Sequence, residues 1–259
     1  MGPRAYLLDL DGTLYSGEAA VPGAPAALAR LRQQNIPYRL VTNTTSRSRA
    51  MLVKRLRDYG FAVSAEELFT ATIAGADVAR DAGYSCVAPF LPEPALVDMG
   101  DLQLCGGTSG QGSGRTPEAV LVGDLGEHWT YPLLQEAFDY LMSGAALIAL
   151  SRDRYWLHQG RLALDAGPFV AALEFASGKG AVIAGKPSPA FYVAALRSLG
   201  HEAPASAAMV GDDLWSDVQG AQRAGLQGWL VRTGKYRESA LRESGIKPDR
   251  ILESVASLE

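Results

Sequence analysis

The chain has 259 residues, a formal net charge of −4, 47% hydrophobic and 20% charged residues. That balance is globular and excludes a low-complexity or fibrous chain. The acidic sign argues against nucleic acid or an anionic membrane as the main partner. No apolar run reaches the roughly 18 residues of a membrane span, and nothing at the N-terminus reads as a signal peptide, so the expectation is a soluble, cytoplasmic protein.

Ala5–Leu10 (AYLLDL) is a short apolar run and reads as a buried strand. Residues 22–34 carry Leu28 and Leu31 at helical spacing, and Tyr38–Thr42 (YRLVT) is a second strand. Ser46 or Ser48 can cap a helix that runs to Tyr59, with Gly60 as its stop. This strand–helix alternation predicts a parallel sheet with helices on its faces.

The middle of the chain differs. Pro89, Pro92 and Pro94 precede a Gly/Ser stretch at residues 106–114, which reads as a mobile loop. Ala119–Val122 and Ala146–Leu150 read as strands, and Thr130–Met142 as a helix with Leu133, Leu134, Ala137, Phe138 and Leu141 on its apolar face. The strand–helix pattern resumes with Val182–Ala184, a helix from Pro189, Ala207–Val210, a helix over Asp213–Ala224, and Gly228–Val231. A second α/β unit therefore reads as inserted into the first, with edges near residues 72 and 179. Cys86 and Cys105 are too few for a disulfide framework and are expected as reduced structural thiols.

Four strand ends carry polar sets. Asp9 and Asp11 follow the first strand, and Gly12 permits a sharp turn after them. Carboxylates this close repel unless a cation lies between them or one is protonated. An Asp/Gly-rich turn would look the same. Thr42 and Asn43 can donate to phosphate oxygens or simply cap the next helix. Lys186, between Gly185 and Pro187, can supply a point charge to a phosphoryl group or a carboxylate. Asp212, Asp213 and Asp217 crowd the end of Ala207–Val210. Asp9, Asp11 and Asp212 together would offer oxygen ligands suited to Mg²⁺, while Asp213 and Asp217 also suit a helix N-terminus.

Taken in order, Asp9–Tyr15 (DLDGTLY), Thr42-Asn43 in VTNTT, Lys186 in GKP, and Asp212–Asp217 in GDDLWSD resemble the four motifs of the haloacid dehalogenase superfamily. Finer stretches (GKPSPAFY, GAQRAGLQGWLVRTGKY) resemble its NagD-like subgroup. The resemblance implies a doubly wound, Rossmann-like α/β core over residues 1–72 and 179–259, with an α/β cap over 73–178 that selects the substrate. It implies Asp9 as nucleophile and Mg²⁺ ligand, and Asp11 as general acid and then base, its backbone carbonyl on the metal. Thr42, Asn43 and Lys186 would bind the phosphoryl group, Asp212 the metal, with Asp213 and Asp217 in support. An acid at Asp11 suits phosphoryl transfer rather than carbon–halogen cleavage, which needs no leaving-group acid.

The expected activity is Mg²⁺-dependent hydrolysis of a small phosphorylated metabolite. Alternatives are a pyrophosphate or P–N phosphatase, and a catalytically weak binding protein on the same scaffold. Pairing through the cap is permitted. In the cap, His128, Trp129, Arg152, Arg154, Tyr155, Trp156 and His158 are candidate substrate contacts, although a solvated loop with packed aromatics explains them too. Arg232, Lys235, Tyr236 and Arg237 read as a basic rim or an ordinary surface turn.

Overall fold

The computed structural model describes residues 2–110, 114–158 and 161–258, without the side chains of Leu157 and His158. The candidate His158 side chain and residues 111–113 of the Gly/Ser stretch thus lie outside the described residues. The chain divides into two compact units, residues 1–42, 50–69 and 186–259 in one and residues 43–49 and 70–185 in the other.

The first unit is built on a six-stranded sheet. Its order is Arg250–Leu252, Gln227–Val231, Ala207–Gly211, Ala5–Asp9, Tyr38–Thr42, Leu68–Thr70. Ala5–Asp9 runs parallel to both of its neighbours, as Ala207–Gly211 and Gln227–Val231 do to theirs. All five residues of Ala5–Asp9 are buried, which is why the run up to Leu8 is continuous in hydrophobic character rather than alternating. Helices Ala24–Gln33 and Arg49–Asp58 pack Leu28, Leu31, Leu52 and Leu56 onto Leu8, Leu40 and Val210. Pro25 lies in the first turn of one helix, and Gly60 at φ +88° follows the other as the stop that the sequence suggests.

The second unit holds a five-stranded parallel sheet in the order Val182–Ile183, Ala146–Ala149, Ala119–Val122, Cys86–Phe90, Gln103–Leu104. Helices Tyr131–Met142 and Ala166–Ser177 cover it with Leu141, Val170 and Leu173 against Phe90, Val122 and Leu147. Thr130 and Asp165 cap these helices through their side-chain oxygens. Tyr155–His158 pairs antiparallel with Arg161–Leu164 in a two-stranded sheet. Among the described residues, no helix is long and apolar enough to cross a membrane.

The structure adds to the sequence reading or departs from it at several points. The strand near residue 182 belongs to the second sheet, because Val182 registers with Ile148 and Ile183 with Ala149. The return to the first unit accordingly falls at Lys186 rather than near residue 179. The proline-rich region contains a fully buried strand, Cys86–Phe90, whose Pro89 carbonyl accepts a hydrogen bond from Thr108 Oγ1 at 3.0 Å. Within the described part of the Gly/Ser stretch, Gly107–Ser109 forms a 3₁₀ turn, and the Gly107 amide donates to Glu136 Oε1 at 2.9 Å. Finally, Cys86 and Cys105 are joined in a disulfide. The parallel ladder between Cys86–Phe90 and Gln103–Leu104 brings their Cα atoms to 6.1 Å, a pairing that spacing in the sequence does not reveal.

Candidate active site

Asp9 is the last residue of the central strand Ala5–Asp9, flanked by Tyr38–Thr42 on one side and Ala207–Gly211 on the other. Here the strand order reverses direction, and the carboxyl ends of open parallel sheets form ligand sites at such points. After Asp9 the chain turns sharply. The Leu14 amide donates to the Leu10 carbonyl at 2.8 Å, and the Gly12 amide to the Tyr15 carbonyl at 2.7 Å. Gly12 has φ +82°, and a Cβ there would lie 1.9 Å from Asp212 Oδ2. Glycine is required at that position both for its conformation and for its close approach to a carboxylate.

Four charged side chains converge on this strand end. Lys186 donates to Asp9 Oδ1 at 2.6 Å and to Asp217 Oδ1 at 2.7 Å, and all three residues are buried. One carboxylate oxygen from each of Asp9, Asp212 and Asp217 lies within 4.8 Å of the others. The Lys235 amide donates to Asp212 Oδ2 at 2.6 Å. Asp213 caps the following segment, accepting from the Trp215 and Ser216 amides at 3.0 Å each, and its other oxygen meets Lys235 Nζ at 3.1 Å.

Asp217 lies in Leu214–Gln219, a π-helix that passes into α-helix at Gly220–Arg223. A regular α-helix over Asp213–Ala224, as the sequence suggests, is thereby corrected. The Asp213 carbonyl accepts from both the Asp217 amide at 2.9 Å and the Val218 amide at 3.2 Å, and Asp217 Oδ2 accepts from the Asp213 amide at 3.1 Å. The carboxylate trio that could hold a metal is therefore Asp9, Asp212 and Asp217. The Asp11 side chain is exposed and its carboxylate is not part of that trio. The sequence singles out Asp217 only as a supporting residue.

Burial and mutual repulsion dominate the electrostatics. Desolvation, with Asp9 and Asp217 adding repulsion, pushes Asp212 up to about 8. Desolvation likewise pushes Asp217 up to about 7, against the pull of Lys186. Asp9 is raised by burial, with Lys186 opposing. Burial disfavours the Lys186 ammonium, but Asp217 and Asp9 outweigh it and hold the group charged. Burial also acts against ionised Asp213, yet Lys235 and the two backbone amides win and keep it below the usual range. One ammonium cannot neutralise three buried carboxylates. An all-oxygen set with surplus negative charge fits a hard divalent cation.

The remaining candidates separate. Thr42 ends Tyr38–Thr42 and is buried in the first unit, while Asn43 groups with the second, its amide 3.5 Å from Asp153 Oδ2. Trp129 stacks between Phe90 and Phe169, with ring centroids at 5.7 and 4.9 Å. Arg152 pairs with Glu174 at 2.5 Å. Both have structural employment that accounts for them. Tyr155 and Trp156 lie exposed on the two-stranded sheet. Lys235 is more than a surface turn, since it contacts both Asp212 and Asp213.

A model of haloacid dehalogenase-like hydrolases matches residues 6–98, and an HAD-hydrolase-like model matches residues 183–258. The chain is 43% identical over 247 residues to haloacid dehalogenase-like hydrolase domain-containing protein 2 of Bos taurus, covering 95% of this chain and 89% of that protein. It is 36% identical over 261 residues to the phospholysine phosphohistidine inorganic pyrophosphate phosphatase of Homo sapiens, covering 98% and 92%. Among solved structures, NagD from E. coli K-12 superimposes with a TM-score of 0.87 at 25% identity, covering 100% of this chain and 99% of that one. The p-nitrophenyl phosphatase from Archaeoglobus fulgidus does so with 0.88 at 26% identity, covering 99% and 98%. The chain belongs to the haloacid dehalogenase-like hydrolases, as a NagD-like phosphatase of that family.

Proposed function

We propose that this chain hydrolyses a small phosphorylated metabolite in a Mg²⁺-dependent reaction that passes through an aspartyl-phosphate on Asp9. The observation that carries the reading is the convergence of Asp9, Lys186, Asp212 and Asp217 at one strand end. In this reading the first unit is the catalytic core, and the second, near residues 73–178, is the cap that selects the substrate.

Asp9, bonded to the Lys186 ammonium, attacks phosphorus in line as its carboxylate. A P–O bond forms to its carboxylate and the P–O bond to the leaving group breaks. Asp11, exposed two residues away, gives its proton to the leaving oxygen. It then takes a proton from the water that attacks the aspartyl-phosphate, which releases inorganic phosphate and restores Asp9. Lys186 offsets charge on the nucleophile and on the phosphoryl oxygens. Thr42 and Asn43 are assigned as hydrogen-bond donors to those oxygens. Asp9 and Asp212 would hold Mg²⁺, with the Asp11 carbonyl as a further ligand and Asp213 and Asp217 in support. Bound there, the ion would supply Lewis-acid stabilisation of phosphoryl charge.

The direct test is p-nitrophenyl phosphate hydrolysis with Mg²⁺. Asp9→Asn should lower kcat by at least about 10³-fold, as removal of a covalent nucleophile does. Equal rates for wild type and Asp9→Asn would sink the reading and favour a binding or regulatory role on the same scaffold. Cleavage of inorganic pyrophosphate or a P–N bond is the second reading, supported by the name of the 36%-identical relative. Comparing kcat/KM on pyrophosphate, phospholysine and phosphomonoesters separates the two. A cytoplasmic location and pairing of two copies through the cap complete the proposal. Exposed Tyr155, Trp156, Leu162 and Leu164 support the pairing, and sedimentation checks it.

A further inference from the structure

The turn after Gln227–Val231 reaches back to two of the strand ends described above. Thr233 Oγ1 donates to the Gly12 carbonyl. Gly234 has φ +58°, and a Cβ on it would lie 2.0 Å from Asp212 Oδ2 and 2.5 Å from Gly12 Cα. The next residue donates its backbone amide to that same Asp212 oxygen at 2.6 Å, while its ammonium bonds Asp213 Oδ2 at 3.1 Å. Three consecutive residues therefore grip the Asp9–Gly12 turn, Asp212 and Asp213.

We propose that Thr233, Gly234 and Lys235 form a positioning clamp that aims the Asp212 carboxylate at a divalent cation. A backbone amide suits this work, because it satisfies one carboxylate oxygen without adding net charge or a side-chain rotamer. The amide can approach only because Gly234 has no side chain. The Lys235 ammonium occupies Asp213, so Asp213 does not compete with Asp212 for the ion. Thr233 ties the clamp to the turn that carries Asp11. The proposal rests on the reading of Asp212 as a metal ligand.

Gly245 supplies a matched control. It shares the left-handed backbone, at φ +69°, but has nothing within 4 Å of its would-be Cβ. Alanine at either glycine meets similar backbone strain, and only alanine at 234 meets Asp212. The experiment titrates metal-free protein with Mn²⁺ by calorimetry and records melting in EDTA for each variant. Gly234→Ala should weaken Mn²⁺ binding by roughly 10- to 100-fold, the usual effect of disturbing a group that orients a metal ligand. Gly245→Ala should lower the melting temperature and leave Mn²⁺ affinity unchanged. Thr233→Val should weaken binding less than Gly234→Ala does, and it carries the test if Gly234→Ala fails to fold. Equal Mn²⁺ affinity in Gly234→Ala and Gly245→Ala, or wild-type affinity in Thr233→Val where that variant stands alone, overturns the clamp and leaves the metal site intact. Wild-type protein that binds no Mn²⁺, or binding that survives Asp212→Asn, overturns the metal reading and the clamp with it.

Discussion

The two units are built alike and loaded differently. Each centres on a parallel sheet covered by amphipathic helices. Among the described residues, the buried charged side chains are Asp9, Lys186, Asp212 and Asp217, and all belong to the first unit. The buried polar residues of the second are hydroxyls only, Thr45, Ser48, Thr70, Thr72 and Ser151. Burying an unbalanced cluster of charge opposes folding, whereas the apolar core of the second unit carries no such penalty. Stability and chemistry are thus in tension in one unit and free of each other in the other.

The largest effect should come from pH in metal-free protein. Asp217 and Asp212 rise to about 7 and about 8 in the fold, whereas an unfolded aspartate titrates near ~4. Between those values the folded state binds more protons, so stability falls as pH rises from roughly 4 to 8. Asp213, held low, contributes the opposite slope, but only in more acidic solution. Melting in EDTA should therefore be higher at pH 5 than at pH 8.5, with Mg²⁺ or Asp212→Asn flattening the slope. A profile that rises with pH would mean that the cluster is not strained by repulsion.

Lys186→Ala removes the ammonium bonded to Asp9 and Asp217 and leaves buried carboxylates uncompensated. It should cost about 4 kcal/mol near neutral pH, less in acid, and abolish phosphatase turnover. Urea melts at pH 5 and pH 7.5 measure the difference. The mirror experiment in the second unit is Leu141→Ala, which empties a fully buried site. A loss of roughly 3 to 4 kcal/mol is expected, independent of pH and with Mg²⁺ affinity unchanged. If Leu141→Ala shifts metal affinity as strongly as Lys186→Ala, the separation between the units fails. Reducing the Cys86–Cys105 bridge, which closes a separation of 19 residues, should cost about 3 kcal/mol. Thiol titration in denaturant should find no free thiol before reduction, and two reactive thiols there would break the assignment.

Much of this molecule is legible from residues alone. Ala119–Val122 and Tyr38–Thr42 coincide with their apolar runs to the residue, and the helix at Pro189 starts where proline permits. Asp9, Lys186 and Asp212 stand out because charged residues at the ends of apolar strands have few structural reasons to be there. Apart from the π-helix at Leu214–Gln219, the missed features depend on a partner distant in sequence. Strand Cys86–Phe90 hides behind its proline until its neighbours enclose it. Val182–Ile183 joins the second sheet by edge pairing, which its composition does not encode.

The sequence by itself determined the α/β grammar, the insertion and the family of this phosphatase, because local periodicity and motif order need no third dimension. Tertiary structure alone decided that Asp217 rather than the Asp11 carboxylate joins Asp9 and Asp212, since Lys186 bonds Asp9 and Asp217 from separate strand ends while the Asp11 side chain is exposed. It also decided that Cys86 meets Cys105 and that Lys235 meets Asp212, because such meetings are set by the packing of strands and loops that the chain brings together only on folding.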